Sequence, residues 1–454
     1  MSKTTINDMT IGSPAKLIIK FMIPMCLGNL FQQFYNVVDS IVAGQFLGVQ
    51  ALAAIGSTGS LMFFVIGWLN GLTSGFAIMV AQSFGAKQYD RMRHYVAMSI
   101  YLSVAFALVM TIGFSVANEQ ILRLMNYSDE IMPSVKGYMG IIYMGLLVTV
   151  AYDALSAFLR ALGDSRSPLY FLMISAGINV VLDIVLIVVM GMGVEGCAYA
   201  TVIAQAISAL LCFIYICKKF PILRLKKTDF QIALKSLGKL LGLGIPMALQ
   251  FSITAIGTII VQGAINIYGE NCMAGFSAAG KLQNIFMTVF VAFGATIATY
   301  VGQNRGAGKM DRVKQGVRCA YLMNAVCYGI FCPVIWFFAR PIMEAFTGNP
   351  ESIRYGVEYM KIFSCFFFVG GILVVYHNIL RSAGDVTVTV LMGVSEIITR
   401  IGFTFLFTAA FGYYGLWWVS PLTWCCAMMV GCVRYYLGKW EKKAQLQRGD
   451  NIHG

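Results

Sequence analysis

Residues 29–44, NLFQQFYNVVDSIVAG, decide how the rest of the chain is interpreted. They lie inside an apolar run, residues 17–43, that is long enough to cross a bilayer, which takes ~20 apolar residues. Six polar side chains fall along one side of this helix: Asn29, Gln32, Gln33, Asn36, Asp39 and Ser40. A carboxylate at membrane depth costs ~2.5 kcal/mol or more on insertion scales, so we expect Asp39 to be functional.

The composition indicates a polytopic membrane protein. Of the 454 residues, 58% are hydrophobic and 12% are charged, whereas a soluble domain carries roughly 25% charged residues. The net charge of +13 does not indicate a nucleic-acid partner, because the basic residues cluster in alternate loops. We therefore predict a multi-pass protein of the plasma (bacterial inner) membrane, with the lipid bilayer as its surroundings.

Hydropathy predicts an all-α fold with twelve transmembrane helices. Their approximate limits are 17–43, 51–81, 95–117, 134–158, 168–191, 196–217, 237–265, 276–302, 318–339, 357–380, 387–411 and 414–437. Lysine and arginine are concentrated in the terminal segments and the even-numbered loops. Both termini are therefore predicted to face the cytoplasm.

The chain contains an internal repeat. Residues 80–96, VAQSFGAKQYDRMRHYV, align without gaps on residues 301–317, VGQNRGAGKMDRVKQGV. Residues 159–164, LRALGD, align on residues 380–385, LRSAGD, at the same offset of 221. Separate matches at one offset indicate that the first half of the chain is repeated in the second.

Six spans in each half give the two repeats the same orientation. We predict a first lobe at residues 1–217 with spans 1–6, which is the ion-coupling half, and a second lobe at residues 240–454 with spans 7–12. A basic cytoplasmic linker, residues 218–239, joins them. Two parallel repeats suit a transporter that alternates its access around a central cavity.

Acids inside the predicted spans are the candidates for ion binding. Ser175, Asn179 and Asp183 lie at i, i+4 and i+8, on one face of the fifth span, and Asp183 and Asp39 both fall in the outer half of the membrane. Two such carboxyl groups in one cavity could load and release a proton, and with Asn179 the same oxygens could hold Na⁺. The alternative is a hydrogen-bonded pair that only fixes helix packing.

The other intramembrane acids have basic neighbours in the sequence. Asp153 lies seven residues before Arg160, where a role at the helix end is as compatible with the sequence as a role in transport. Glu396 is followed one turn later by Arg400, which favours local charge neutralisation. The position that matches Asp39 in the second repeat is Val261, so we expect ion coupling in the first lobe.

No enzymatic or nucleotide-binding motif is expected. Gly275-x4-Gly280-Lys281 resembles the start of a phosphate loop, but Leu282 follows instead of Ser or Thr. We therefore expect no ATP, no cofactor and no catalytic residue. The histidines are scattered along the chain at His94, His377 and His453.

The doubled motifs and the polar residues of spans 1 and 5 make the sequence similar to the multidrug and toxic compound extrusion (MATE) family, in particular its bacterial MepA-like and DinF-like branch. The similarity covers about residues 15–440. It implies a V-shaped pair of six-helix lobes. It also implies a monomeric antiporter that exports small organic cations in exchange for H⁺ or Na⁺ by alternating access.

The resemblance also implies an ion site. The family's ion ligands are matched by Asp39, Asn179, Asp183 and Thr201, which are therefore the candidate Na⁺ ligands. Asn36, in the same polar stripe as Asp39, and Ser156, where some relatives have an asparagine, are further site candidates.

The alternative function is a lipid-linked oligosaccharide flippase of the same superfamily. Such a flippase should have a basic cavity for pyrophosphate, whereas the cavity predicted here is acidic or neutral. The sequence leaves open the coupling ion, the substrates and the roles of Asp153 and Glu396.

Overall fold

The computed structural model of the chain contains only helices and their connections in the part that it describes, which is residues 8–48, 54–125, 131–438 and 440–441. Within the first helix, nothing is described of the side chains of residues 35–37, 39–41 and 43. The helices are α1 (Pro14–Leu47), α2 (Gly59–Gly85), α3 (Tyr89–Leu124), α4 (Met132–Met144), α5 (Leu146–Ala161), α6 (Arg166–Asp183), α7 (Val194–Lys219), α8 (Leu234–Asn266), α9 (Glu270–Gly306), α10 (Met310–Glu344), α11 (Pro350–Cys365), α12 (Phe367–Ser382), α13 (Val386–Phe411) and α14 (Tyr413–Tyr436). A π-helical segment, Ile184–Val189, continues α6.

These helices account for the twelve predicted spans. Ten of the described helices are long and apolar enough to cross a membrane. Two further pairs, α4 with α5 and α11 with α12, qualify as single spans that are bent by 48° and 53°. Each helix satisfies its own backbone polar groups, which lipid cannot do. The predicted all-α membrane fold is confirmed.

Both repeats break their fourth span at the same place. The break between α4 and α5 lies at Gly145, and the break between α11 and α12 lies at Phe366, again 221 residues apart. Hydropathy alone does not predict these bends. The repeat seen in the sequence motifs therefore extends to an irregularity of the backbone.

The described chain packs as two compact units. Among the described residues, unit 1 contains residue 8 and those between 23 and 251, and unit 2 contains residues 9–22 together with residues 252–438 and 440–441. The basic linker at residues 218–239 belongs to unit 1. The predicted lobe boundaries follow the sequence repeat rather than the packing, and they stay a prediction.

Close backbone contact explains why the first half of α8 packs in unit 1. A Cβ atom added to Gly75 of α2 would lie 2.5 Å from the Cα of Gly244, and one added to Gly71 would lie 2.7 Å from the Cα of Ala248. Only glycine allows helices to approach this closely. Residues of α2 therefore hold the start of α8.

The first copy of the repeated motif also binds the segment before α8. Arg93 forms a salt bridge with Asp229 at 3.3 Å. The two ring nitrogens of His94 lie 3.1 Å from the Asp229 carbonyl oxygen and 3.0 Å from the Ser236 hydroxyl. The linker is thus fixed to the N-terminal start of α3.

The second copy of the motif does the same for the segment before α1, within unit 2. The Met9 carbonyl accepts hydrogen bonds from Asn304 at 3.1 Å and Arg312 at 3.2 Å. Lys309 donates to the Thr10 carbonyl at 2.9 Å. Each copy of the motif therefore holds the chain that leads into the first helix of the other repeat.

Candidate functional site

The last turns of α6 bury three polar side chains on one face. These are Ser175, Asn179 and Asp183, and neither Asn179 nor Asp183 has exposed surface (0%). The predicted face of the fifth span is therefore directed into unit 1. An amide and a carboxyl group at this depth need polar partners or a bound ion, because their transfer out of water is unfavourable.

Two hydrogen bonds fix the register between α6 and α7. Ser175 of α6 donates to the Ala204 carbonyl at 2.7 Å, and Ser208 of α7 donates to a carbonyl of α6 at 3.1 Å. The two helices are antiparallel, so each step along one is matched by a step back along the other. This register places Thr201 within one residue of the level of Asn179.

Asn179 and Thr201 differ in how their polar atoms are used. The half-buried Thr201 donates its hydroxyl to the Cys197 carbonyl at 3.0 Å. In the described part of the chain, neither the oxygen nor the nitrogen of the Asn179 amide has a hydrogen-bond partner. An unsatisfied buried amide costs ~1–3 kcal/mol, which a bound polar ligand would offset.

The backbone changes its geometry directly after Asp183. Residues 184–189 form a π-helix, and the Met190 N–H bonds to the carbonyl of Val185. π-Helical turns occur mostly as local bulges, frequently at functional sites. Neither hydropathy nor residue spacing predicts this turn, which widens the helix next to the candidate carboxylate.

The side chains of Asp39 and Asn36 lie outside the described residues, although the backbone of α1 is described through Leu47. Gly28 of α1 approaches α6, since a Cβ atom there would lie 3.7 Å from Leu169. These two helices are therefore neighbours within unit 1. The contact of Asp39 with Asp183 stays a prediction.

Ser156 lies at another level of unit 1. It is buried on α5, where its hydroxyl is 3.9 Å from the Cys212 thiol of α7. Cys212 is eleven residues beyond Thr201 on the same helix, or roughly 16 Å at 1.5 Å per residue. The structure therefore does not bring Ser156 next to Asn179, which the sequence could not show without the helix register.

Asp153 belongs to a second polar group, nearer to Ser156. Its half-buried carboxyl group interacts with Asn70 of α2 and with Arg160 on its own helix. One of its two oxygens is enclosed and has no hydrogen-bond partner in the described residues. Sequence reasoning missed Asn70, because only packing of α2 against α5 brings it here.

Glu396 and Arg400 form the local pair that their spacing predicted. The Arg400 guanidinium donates to the Glu396 carboxylate at 2.7 Å, and both side chains are buried in unit 2. The Gly275–Lys281 stretch lies inside α9 and is regular helix. Its backbone therefore cannot form the open loop that cradles a phosphate.

Comparison with known protein families gives two matches in this chain. A family model described as MatE matches residues 24–185 and again residues 246–406. The two matches are spaced along the chain as the sequence motifs are. They therefore agree with the internal repeat.

Comparison with individual proteins gives relatives of nearly the same length. A probable multidrug resistance protein, YpnP of Bacillus subtilis (strain 168), is 29% identical over 96% of this chain and 97% of its own length. A protein called FAD transporter from Shewanella oneidensis is 22% identical over 93% of this chain and 94% of its own.

The fold also matches a solved structure. It is the outward-facing conformation of a multidrug resistance MATE family transporter of the MOP superfamily, with a TM-score of 0.89 and 21% identity over 97% of this chain and 100% of the other. At this identity the likeness shows the fold.

Proposed function

This chain belongs to the MatE family of membrane transporters, and we propose that it exports small organic cations in exchange for H⁺ or Na⁺. The coupling ion would bind in unit 1, between Asp39, Asn179, Asp183 and Thr201. The proposed transport uses neither a cofactor nor ATP. The observation that carries it is the fully buried Asn179 amide, which lacks a hydrogen-bond partner in the described chain one turn from Asp183.

The helix register supports a place for Asp39 in this site. In the second repeat, Ile253 of α8 lies next to Gly393, and Gly257 lies next to Arg400, so α8 and α13 run parallel. By the repeat, α1 and α6 run parallel as well. Counting eleven residues onward from the contact of Gly28 with Leu169 brings residue 39 level with residue 180.

The coupling step follows from electrostatics. A cation that enters from the outside neutralises the carboxylates and so favours the state that releases the organic cation. Loss of the coupling ion to the cytoplasm then restores negative charge in unit 1. A ligand shifts such an equilibrium only by its difference in affinity between the two states. Asp183 is the described carboxyl group whose negative charge would be removed by a bound H⁺ or balanced by a bound Na⁺.

Cells that express Asp39→Asn or Asp183→Asn test this proposal. Each substitution keeps the shape of the side chain and removes its charge, so ethidium efflux should fall to the level of cells without the transporter. Glu119→Gln is the matched control, since Glu119 is an exposed acid that pairs with Lys136 at 2.8 Å. Normal efflux by both aspartate variants, at normal membrane levels, would contradict the proposed site.

Transport by the purified wild-type protein and an Asn179 variant in liposomes identifies the coupling ion. Na⁺ and H⁺ differ in their ligands, because the Asn179 carbonyl can bind Na⁺ but cannot carry a proton near neutral pH. Asn179→Ala should therefore abolish a sodium-driven exchange and only weaken a proton-driven one. Transport that requires ATP and ignores both gradients would contradict ion exchange altogether.

The membrane orientation belongs to the same proposal. The chain is a multi-pass membrane transporter by family, and its loop charges favour cytoplasmic termini. A single cysteine placed at either end of a functional cysteine-free variant should react with a membrane-impermeant maleimide only after the cells are opened. Labelling in intact cells would show that the labelled end faces outward and would contradict the predicted orientation.

A further inference from the structure

The linker between the two repeats has a strongly basic surface. Residues 218–239 contain seven lysine or arginine residues and one acid, Asp229. This acid is buried and pairs with Arg93 of α3 at 3.3 Å, so its charge is already balanced. Six of the basic side chains are exposed, namely Lys218, Lys219, Arg224, Lys226, Lys227 and Lys235. Lys226 lies 3.9 Å from Asp90, which partly offsets its charge.

The same surface exposes large apolar side chains. Phe230, Ile232 and Leu234 are 36%, 68% and 82% exposed. By contrast, Phe220 and Leu223 of the linker are buried against the rest of unit 1. The linker thus packs one set of apolar residues inward and leaves a second set outside. An exposed apolar group with basic residues around it marks an interaction surface.

Contacts with α3 fix the level of this surface along the helix. The rings of Tyr101 and Phe230 lie 5.9 Å apart and edge to face, and the Tyr101 hydroxyl donates to the Phe230 carbonyl at 3.4 Å. One residue earlier, Asp229 binds Arg93. The predicted third span begins at residue 95, between these two contacts. The linker therefore lies at the level where α3 is expected to enter the membrane.

An exposed apolar stripe on α3 starts from the same level. Tyr101 is followed on one face of the helix by Leu108, Ile112 and Val116, which are 48%, 63% and 75% exposed. On a membrane helix such a stripe faces lipid. A tyrosine at its end is typical of the boundary between hydrocarbon and headgroups. The apolar group of the linker extends this stripe at its boundary.

We propose that the linker is an interfacial anchor that binds the headgroups of anionic phospholipids. Ile232 and Leu234 enter the edge of the hydrocarbon, and the exposed lysines contact the lipid phosphates. Under the proposed orientation the anchor faces the cytoplasmic leaflet, whose anionic lipids attract basic segments. Because α8 follows the linker directly, the anchor holds the start of α8 at the membrane surface. This role is independent of the exported substrate.

Fluorescence quenching in lipid nanodiscs tests the proposal. A bimane label is attached through Gln231→Cys in the cysteine-free full-length protein, at an exposed position beside the apolar group. The phosphatidylcholine nanodiscs contain a small fraction of phosphatidylglycerol or phosphatidylcholine with a nitroxide near the headgroup. Labelled phosphatidylglycerol should reach half-maximal quenching at a mole fraction ~10-fold lower than labelled phosphatidylcholine. High salt should remove this difference by screening the charges.

Charge variants separate the linker from the rest of the protein. Lys227→Gln/Lys235→Gln should lower the ~10-fold preference for phosphatidylglycerol to about 2-fold or less. Arg123→Gln/Arg340→Gln is the matched control, since it removes the same charge from side chains that are 70% and 78% exposed outside the linker. The control should keep the full preference. Equal loss in both double variants would contradict a lipid site on the linker.

The apolar contribution is tested in the same assay. Ile232→Ser/Leu234→Ser should weaken quenching by both labelled lipids, because the label moves away from the hydrocarbon. Denaturation midpoints equal to that of the labelled parent show that all variants are folded.

Three outcomes for the labelled parent protein would overturn the proposal. Both lipids could quench equally at low salt, or neither could quench. Inorganic phosphate, added at constant ionic strength, could abolish the preference for phosphatidylglycerol, which would identify a site for free phosphate instead of a lipid headgroup.

Discussion

The fifth helices of the two repeats differ in the charge and the backbone geometry of the same buried face. These helices are α6, with its π-helical continuation, and α13. Glu396, Arg400 and Thr404 of α13 lie 221 residues after Ser175, Asn179 and Asp183 of α6. In α6 the face ends in Asp183 and the helix widens into a π-turn. In α13 the Glu396 carboxylate forms a salt bridge with Arg400 at 2.7 Å, and the helix is regular to Phe411. The repeat thus preserves the place of the polar face and changes its charge. This difference supports the proposal that ion coupling lies in the first copy.

The two copies also differ in length after this face. Gly193 lies ten residues after Asp183, whereas Gly412 lies eight residues after Thr404. Both glycines precede the next helix with nearly equal backbone angles, φ 65° and ψ −147° against φ 60° and ψ −143°. In the first copy residues 190–192 lie outside the helix before Gly193, whereas α13 continues to Phe411, directly before Gly412, so the additional length lies in this connection.

Breaking the pair in α13 should have the largest effect on stability. Arg400→Ala leaves the buried Glu396 without its partner and should lower the free energy of unfolding by ~3–5 kcal/mol. Glu396→Gln/Arg400→Gln should change it far less, since no charge is left unpaired. Asp183→Asn should leave it unchanged or raise it. Thermal denaturation in detergent measures all three, and equal losses would remove the contrast between the two helices.

Substitution of the acids that precede the two helices should lower stability by smaller amounts, and the two costs should differ less. Asp385 binds Arg434 at 2.6 Å and is fully buried, so Asp385→Ala should cost ~2 kcal/mol by leaving a partly buried arginine unpaired. Asp164 accepts from the backbone N–H groups of Arg166 and Ser167 at 3.1 and 3.0 Å, which is a helix cap. Asp164→Ala should therefore cost ~1 kcal/mol. The reverse order in denaturation measurements would contradict this assignment.

Shortening the π-helix should make α6 resemble α13. Deletion of Val188 and Val189, which are 48% and 75% exposed, should restore a regular helix with little loss of stability. Because the wide turn beside Asp183 would disappear, ethidium efflux should fall by ~10-fold. Efflux at the wild-type rate would show that the π-turn is not part of the coupling site.

A charge outside both helices should matter least. Glu119 on α3 pairs with Arg123 and Lys136 at the surface, each at 2.8 Å. Exposed ion pairs contribute little, so Glu119→Gln should change neither the denaturation midpoint nor ethidium efflux. A clear loss of efflux would mean that charge anywhere on the protein affects transport.

Much of the fold could be predicted from the sequence. Hydropathy located all twelve spans, because lipid requires continuous apolar helices. It did not show that α3 begins at Tyr89, six residues before the predicted span. Helices continue into the polar segments at the membrane surface, where Asp90 suits the helix N-terminus.

Less of the site could be predicted. The burial of Asn179 and Asp183 followed from spacing alone, since one helical face needs no tertiary information. The level of Ser156, the interaction of Asp153 with Asn70 and the π-turn depend on how helices pack. The match of Glu396 and Arg400 to the first-repeat site was present in the sequence, and extending the offset of 221 from the LRALGD and LRSAGD motifs would have found it.

The most direct test of the central claim, that ion coupling depends on the acid of α6, is ion-driven ethidium accumulation in proteoliposomes. Wild type, Asp183→Asn and the matched second-repeat variant Thr404→Val are compared under an imposed Na⁺ or pH gradient. We predict that the gradient that drives wild type also drives Thr404→Val and fails to drive Asp183→Asn. Accumulation by Asp183→Asn at the wild-type rate would contradict the account.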